Sequence, residues 1–277
     1  MTEALSPDPL FEILNPTACA SEARVALFDF DGTLSLLRAG WANVMVPMMV
    51  EELSRLKSGE SEAELEAVVR EFVDRLTGKQ TIYQMIELAR QVELRGGVAK
   101  DPLVYKRQYL DLLGAKIEYR LEEVRTGRAA PEKYLVPGSI RLLEDLRARG
   151  LRLYLASGTD EPYMKMEADL LGVTRYFDGG VFGALDDYKS FSKRILIQRI
   201  LDRSECHGQQ ILGFGDGYVE IENVKGVGGI AIGVATDERA CLSVDPWKRE
   251  RLAKAGADGI IPNYLQWEQL AGRLFSR

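Results

Sequence analysis

The stretch VALFDFDGTLS, Val25 to Ser35, decides how this chain reads. Its first four residues, Val25, Ala26, Leu27 and Phe28, form an apolar run too short for a helix and bounded by a glycine turn, which is the pattern of a buried strand. Asp29 and Asp31 follow, on either side of Phe30. Alternate side chains of an extended segment share a face, so both carboxylates converge where the strand ends and Gly32 lets the backbone turn. Two like charges buried together are unfavourable unless a cation or a proton relieves them, which makes a bound metal the natural partner. The plainer alternative for an isolated D-x-D-G is a strand followed by an Asp-Gly turn with solvated acids.

Working outward, residues up to about Glu22 carry three prolines and no sustained period, and read as an arm anchored by Leu10, Phe11, Ile13 and Leu14. After Ser35 the pattern turns helical. The run SEAELEAVVREFVDRL has Leu65, Val68, Val69, Phe72, Val73 and Leu76 at helical spacing, and Ser61 with Glu64 forms a capping box. Further helices are expected over about 41–57, 81–95 and 102–125, and no strand is expected between Leu36 and Val136. Beyond Pro137 strands and helices alternate: a helix over 139–149, a strand over 151–156 and a helix over 160–171. A short strand or flap over 180–183, a helix over 190–201 and strands over 211–215, 229–234 and 258–261 complete the pattern. The fold class expected is α/β, a Rossmann-like doubly wound parallel sheet interrupted after its first strand by an all-helical insertion. Its parts are residues 1–35 and 137–277 as the α/β core, and 36–136 as the helical segment.

Ligands of open α/β sheets bind beyond the carboxyl ends of the strands. Three such ends carry polar residues here, DFDGT, SGT and GDG, and they predict one site containing Asp29, Asp31, Ser157 and Asp216. Ser157, Gly158 and Thr159 precede a helix start marked by Asp160 and Pro162, where free N–H groups suit an anion; helix capping is the competing reading.

The string from the apolar run through DFDGTL resembles the first motif of the haloacid dehalogenase-like (HAD) hydrolase superfamily, and three further motifs occur in that family's order. LASGT resembles the second, with Ser157 as the phosphate-holding hydroxyl. The third is a lone lysine. Lys193 opens a helix with Leu196, Ile197 and Ile200 at the family's spacing and is preferred to Lys189. ILGFGDGYVEIENVKG resembles the fourth, with Asp216 as a metal-binding acid; Glu220 stands where the family often has a second Asp and, one methylene longer, would either reach the metal through a water or hold Lys193 instead, with Glu222 as the fallback.

The resemblance covers about 24–35 and 137–262, and the insertion looks like a C1-type cap. It implies a Mg²⁺-dependent phosphatase for a small organic phosphomonoester, acting through an aspartyl-phosphate. Asp29 would be the nucleophile and Asp31 the acid and base. Gly32, Thr33, Ser157, Gly158 and Lys193 would hold phosphate, while Asp29, the carbonyl of Asp31 and Asp216 would hold the metal, with Glu220 assisting. Arg38 and Trp41, which begin the insertion, are the expected cap contacts to substrate: a cation for an anionic tail and an aromatic face for its body. A phosphomutase of the same fold and a catalytically silent phosphometabolite-binding module are the alternatives.

Composition narrows the classes further. The chain has 277 residues, 46% hydrophobic and 28% charged, as in ordinary globular proteins. A formal net charge of −6 argues against nucleic acid as partner. With one histidine, His207 in a polar stretch, a histidine-rich zinc site and a Ser/His/Asp triad are both disfavoured. Cys19, Cys206 and Cys241 are widely spaced and read as free thiols of a reducing compartment. Neither a membrane-length apolar run nor a signal-peptide pattern is present, and the expected location is cytoplasmic.

Overall fold

The strand Val25–Phe28 lies near the middle of a mixed, mostly parallel sheet. The computed structural model describes residues 11–185, 187, 192–204 and 206–276; Leu10, Lys189 and Ser190 lie outside them. Among the described residues seven strands form the sheet: β1 Glu12–Ile13, β2 Val25–Phe28, β3 Arg152–Asp160, β4 Gly180–Ala184, β5 Ile211–Gly215, β6 Ile230–Val234 and β7 Gly259–Ile261. Their order is β1-β7-β6-β5-β2-β3-β4. β2 pairs in parallel with β3 and β5, Val25 facing Arg152 on one side and Ile211 on the other. The arm expected before Glu22 contributes a strand: β1 pairs antiparallel with β7, Glu12 opposite Ile260. Two alternating residues are too few to show as a period in sequence, which is why the edge strand was not legible there.

Between β2 and β3 lie four helices, α1 Ala42–Ser54, α2 Glu62–Leu76, α3 Thr81–Leu94 and α4 Pro102–Arg125. α2 begins as its sequence demands. The Ser61 hydroxyl accepts from the Glu64 N–H, and the Glu64 carboxylate accepts from the Ser61 N–H at 2.8 Å. Its apolar face, Leu65, Val69, Phe72, Val73 and Leu76, is buried. The two connections to the sheet run side by side: the Leu36 N–H donates to the Tyr134 carbonyl (2.8 Å) and the Val136 N–H to that of Leu34 (2.9 Å). Arg120 of α4 clamps the outgoing one, donating to the carbonyls of Leu36, Leu37 and Ala39 at 3.2, 2.8 and 3.0 Å.

The remaining helices are α5 Ser139–Ala148, α6 Glu161–Leu170, α7 Lys193–Ser204, α8 Tyr218–Gly226, α9 Pro246–Lys254 and α10 Trp267–Leu274. Phe28 of β2 stacks on Phe214 of β5 with ring centroids 4.6 Å apart, filling one face of the sheet. The helical cap meets the sheet's carboxyl edge through the loop at 77–80. A Cβ on Gly217 would lie 3.0 Å from the Gly78 Cα, and one on Gly158 would lie 3.2 Å from the Lys79 carbonyl oxygen. Glycine at these positions lets the cap loop wedge between the turns that follow β3 and β5.

Candidate active site

Three turns at the carboxyl ends of β2, β3 and β5, with the start of α7, enclose a cavity of about 100 Å³ roofed by the cap. Asp29, Asp31, Ser157, Gly158, Lys193, Asp216 and Glu220 all line it. Asp29 leaves β2 and is buried; the Lys193 ammonium donates to its Oδ1 at 2.5 Å. Thr33 ties two of the turns together, standing 3.4 Å from Asp29 Oδ2 while its hydroxyl accepts from the Asp216 N–H at 3.0 Å. Gly32, at φ +75°, brings the backbone against the Asp216 carboxylate, and any Cβ there would collide with it.

Asp31 is held differently. Thr159 and Ser157 donate their hydroxyls to its Oδ2 at 2.8 and 3.3 Å, while Oδ1 is buried with no hydrogen-bond partner among the described residues. The Ser157 hydroxyl in turn accepts from the Thr159 N–H at 3.0 Å, so the SGT turn is ordered by its own side chains. β3 runs through this turn to Asp160 and α6 starts one residue later.

Glu220 is turned toward Lys193. It accepts from Lys193, so the ammonium is shared between Asp29 and Glu220. One extra methylene relative to Asp lets the carboxylate cross to Lys193. Glu222 is exposed on α8 and does not line the cavity. Asp216 meets a group that the sequence did not single out: Lys248 of α9 donates to its Oδ2 at 3.0 Å and to Glu238 at 2.8 Å.

The electrostatics follow from burial. Asp29 is pushed up to about 7 by desolvation, with Lys193 pulling it down and Glu220 and Asp31 pushing it up. Asp31 is pushed up to about 6, again by burial, with Arg38 opposing. Asp216 is raised to about 6 by burial against the pull of Lys248, and the charge of Asp29 adds to the rise. Burial would lower Lys193, but Asp29 and Glu220 outweigh it and the net shift is upward. Lys193 and Lys248 thus only partly offset the cost of burying charge on Asp29 and Asp216, and a divalent cation bound there would offset more of it. Among the described residues no three His, Cys, Asp or Glu converge as a ready metal cluster. The donors on offer are the hard oxygens of Asp29 and Asp216 around the first turn, a chemistry that fits Mg²⁺.

The sequence profile described as haloacid dehalogenase-like hydrolase matches residues 23–228, which include all the turns just described. The chain is a haloacid dehalogenase-like hydrolase. No curated protein matches it. Solved structures do. A protein described as a predicted phosphoglycolate phosphatase, from Haemophilus somnus, shares 14% identity at a TM-score of 0.60, over 90% of this chain and 98% of its own. A β-phosphoglucomutase from Clostridium difficile shares 15% at 0.57, over 91% and 97%. A haloacid dehalogenase-like family protein from Streptococcus pneumoniae shares 18% at 0.58, over 90% and 98%. At these identities the likeness is one of fold: the HAD-like α/β sheet with a helical cap.

In this HAD-like hydrolase the two expected cap residues line the cavity, but Arg38 is not free. Its guanidinium donates to both carboxylate oxygens of Glu167 on α6, at 2.7 to 3.1 Å, and both side chains are buried. Arg38 Nε also lies 3.9 Å from Asp31 Oδ1. This replaces the free cation expected for an anionic tail with a neutralised pair. His207 is exposed, away from the cavity. Residues absent from the sequence reading include Lys248, Glu167 and Tyr264, whose hydroxyl donates to the Thr33 carbonyl at 2.9 Å. Glu167 sits in the helix expected over 160–171 and Lys248 in α9, which was not among the expected elements, so no local signal marked either as part of the site.

Proposed function

We propose that the chain is a Mg²⁺-dependent phosphatase of small phosphomonoesters, its core residues 1–35 and 137–277 and its C1-type cap 36–136. The observation that carries this reading is the pairing of a buried carboxylate, Asp29, with a buried ammonium, Lys193, at the floor of a capped cavity. A carboxylate held so, once ionised, is a nucleophile at phosphorus, aligned by its cation, and its product is an aspartyl-phosphate. Asp31, raised to about 6 and fixed by Thr159 and Ser157, serves as the acid that protonates the leaving oxygen and then as the base for the hydrolytic water. The Asp31 carboxyl stands on the cap side, beside Arg38, where the body of the ester enters. Lys193, the Ser157 hydroxyl and the backbone of Gly158, which line the cavity, would surround the transferring group and offset its charge, while Gly32 and Thr33 shape the turn behind it. Glu220 orients Lys193. Asp29, Asp216 and the Asp31 carbonyl would hold Mg²⁺, which when bound supplies charge neutralisation for the phosphoryl oxygens.

The experiment is phosphate release from an aryl phosphate by the wild-type protein and Asp29→Asn. The amide keeps the shape but cannot attack phosphorus, so turnover should fall by at least about 10³-fold with melting temperature unchanged or raised. Turnover near the wild-type rate in the variant would overturn the assignment. One similar fold is titled a phosphomutase, and that activity would use the same groups; transfer from a bisphosphate to a sugar without free phosphate would point there instead.

A further inference from the structure

The cap side of the cavity says what kind of body the ester carries. Two polar side chains there are buried and have no hydrogen-bond partner among the described residues: the amide of Gln84 on α3 and the phenol of Tyr109 on α4. Buried polar groups are ordinarily paired, and one left open to a binding cavity is a group that a ligand satisfies. Gln84 offers a donor and an acceptor, and the Tyr109 hydroxyl offers both, so their complement is a ligand hydroxyl. Trp41 and Met45 supply apolar surface beside them.

The charges that line the cavity point the same way. Asp29, Asp31, Asp216 and Glu220 stand against Arg38, Lys79 and Lys193. Lys193 is shared by Asp29 and Glu220, and Arg38 is held on two sides by Glu167. A carboxylate on the body of the substrate would have to take Arg38 from Glu167, leaving a buried carboxylate unpaired, which is strongly unfavourable. Lys79 is exposed at the mouth, over the Tyr83 ring, where an ion pair adds little.

We infer that the substrate is the monophosphate of a short, uncharged, hydroxylated molecule, a small polyol or sugar, read by Gln84 and Tyr109 from the cap. This rests on the phosphatase reading above and names the substrate class of that site.

The test compares glycerol 3-phosphate, phosphoglycolate and 4-nitrophenyl phosphate with the wild-type protein, Gln84→Leu and Tyr109→Phe. Each variant is first shown by its circular dichroism melt to be folded; Tyr109→Phe keeps the ring's packing and serves if Gln84→Leu does not fold. Expected is a kcat/KM for glycerol 3-phosphate at least tenfold above that for phosphoglycolate. Each variant should lower the glycerol-to-aryl ratio of kcat/KM by about threefold to tenfold, the effect of one neutral hydrogen bond. Equal or better use of phosphoglycolate, or an unchanged ratio in both variants, overturns the inference. Failure of the phosphatase reading is distinguishable: no phosphate is then released from any of the three. The melting shift of Asp29→Asn with each ester and Mg²⁺ still decides the inference. Stabilisation by glycerol 3-phosphate above that by phosphoglycolate supports it; the reverse order, equality or no shift with either overturns it.

Discussion

At the scale of single residues, the site is a set of buried acids kept apart by what each one touches. Asp29 has Lys193, Asp31 has two hydroxyls, and Asp216 has Lys248. Asp29 at about 7 and Asp216 at about 6 lie above the ordinary value of 3.8, so at mildly acidic pH the folded protein holds protons that the unfolded chain has released. Two consequences carry opposite signs. Without metal, stability falls as pH rises from about 4 to about 7, because the native state binds more protons than the unfolded state over that window. Mg²⁺ competes with those same protons, so its affinity rises with pH and levels off above about pH 7. Isothermal titration of Mg²⁺ at about pH 5.5, 6.5 and 7.5 should show at least a tenfold tightening over the series, with proton release that shrinks as pH rises. A flat profile would mean that Asp29 and Asp216 are not metal ligands.

At the scale of elements, α6 does more than follow the SGT turn. Glu167 holds Arg38 at the root of the cap, and Asp160, just ahead of the helix, pairs with the buried Lys106 of α4 at 2.5 Å. Two ion pairs, one buried and one largely buried, thus join the cap to the segment that carries the Ser157 and Thr159 hydroxyls. Removing one member of such a pair strands a charge. Arg38→Met should therefore destabilise the protein by about 3–5 kcal/mol, and Arg38→Met with Glu167→Leu should recover most of that. Urea denaturation of the two variants checks this; equal losses would mean that the pair is not a coupled unit. The sequence alone would have had Arg38→Ala tested as a loss of substrate binding. Its first effect is on the joint between cap and core.

For the whole molecule, cap and sheet share one apolar interior. Phe28, Phe30 and Leu34 belong to the same buried cluster as Met49, Phe72 and Leu113 of the helical insertion. The cap is in this sense a continuation of the core, attached by two adjacent chain crossings. Heating should give a single transition, with far-UV circular dichroism and tryptophan fluorescence coincident and the calorimetric enthalpy equal to the van't Hoff value. Two separated midpoints would show that the cap unfolds on its own. Among the described residues no helix is long and apolar enough to cross a membrane.

The patterns legible in the sequence were short-range ones, although β1, α9 and α10 escaped it. The apolar run of β2, the capping box of Ser61, the Pro102 start of α4 and the strand at 211–215 are local patterns, and they came through in the structure within a residue or two. The polar ends of β2, β3 and β5 were legible too, because a parallel sheet brings its carboxyl ends to one edge whatever the connections between them. Tertiary structure alone decided the partners. Nothing near Arg38 announces Glu167, 129 residues on, and nothing near Asp216 announces Lys248. Glu220 by its spacing and length could assist a metal or hold Lys193, and only the fold shows it against Lys193. Gln84 and Tyr109 are ordinary positions on helices until folding puts them over the cavity with no hydrogen-bond partner among the described residues. The physical reason is common to all four: backbone pattern depends on neighbours along the chain, whereas the charge or hydrogen bond that a side chain finds depends on which elements pack against it.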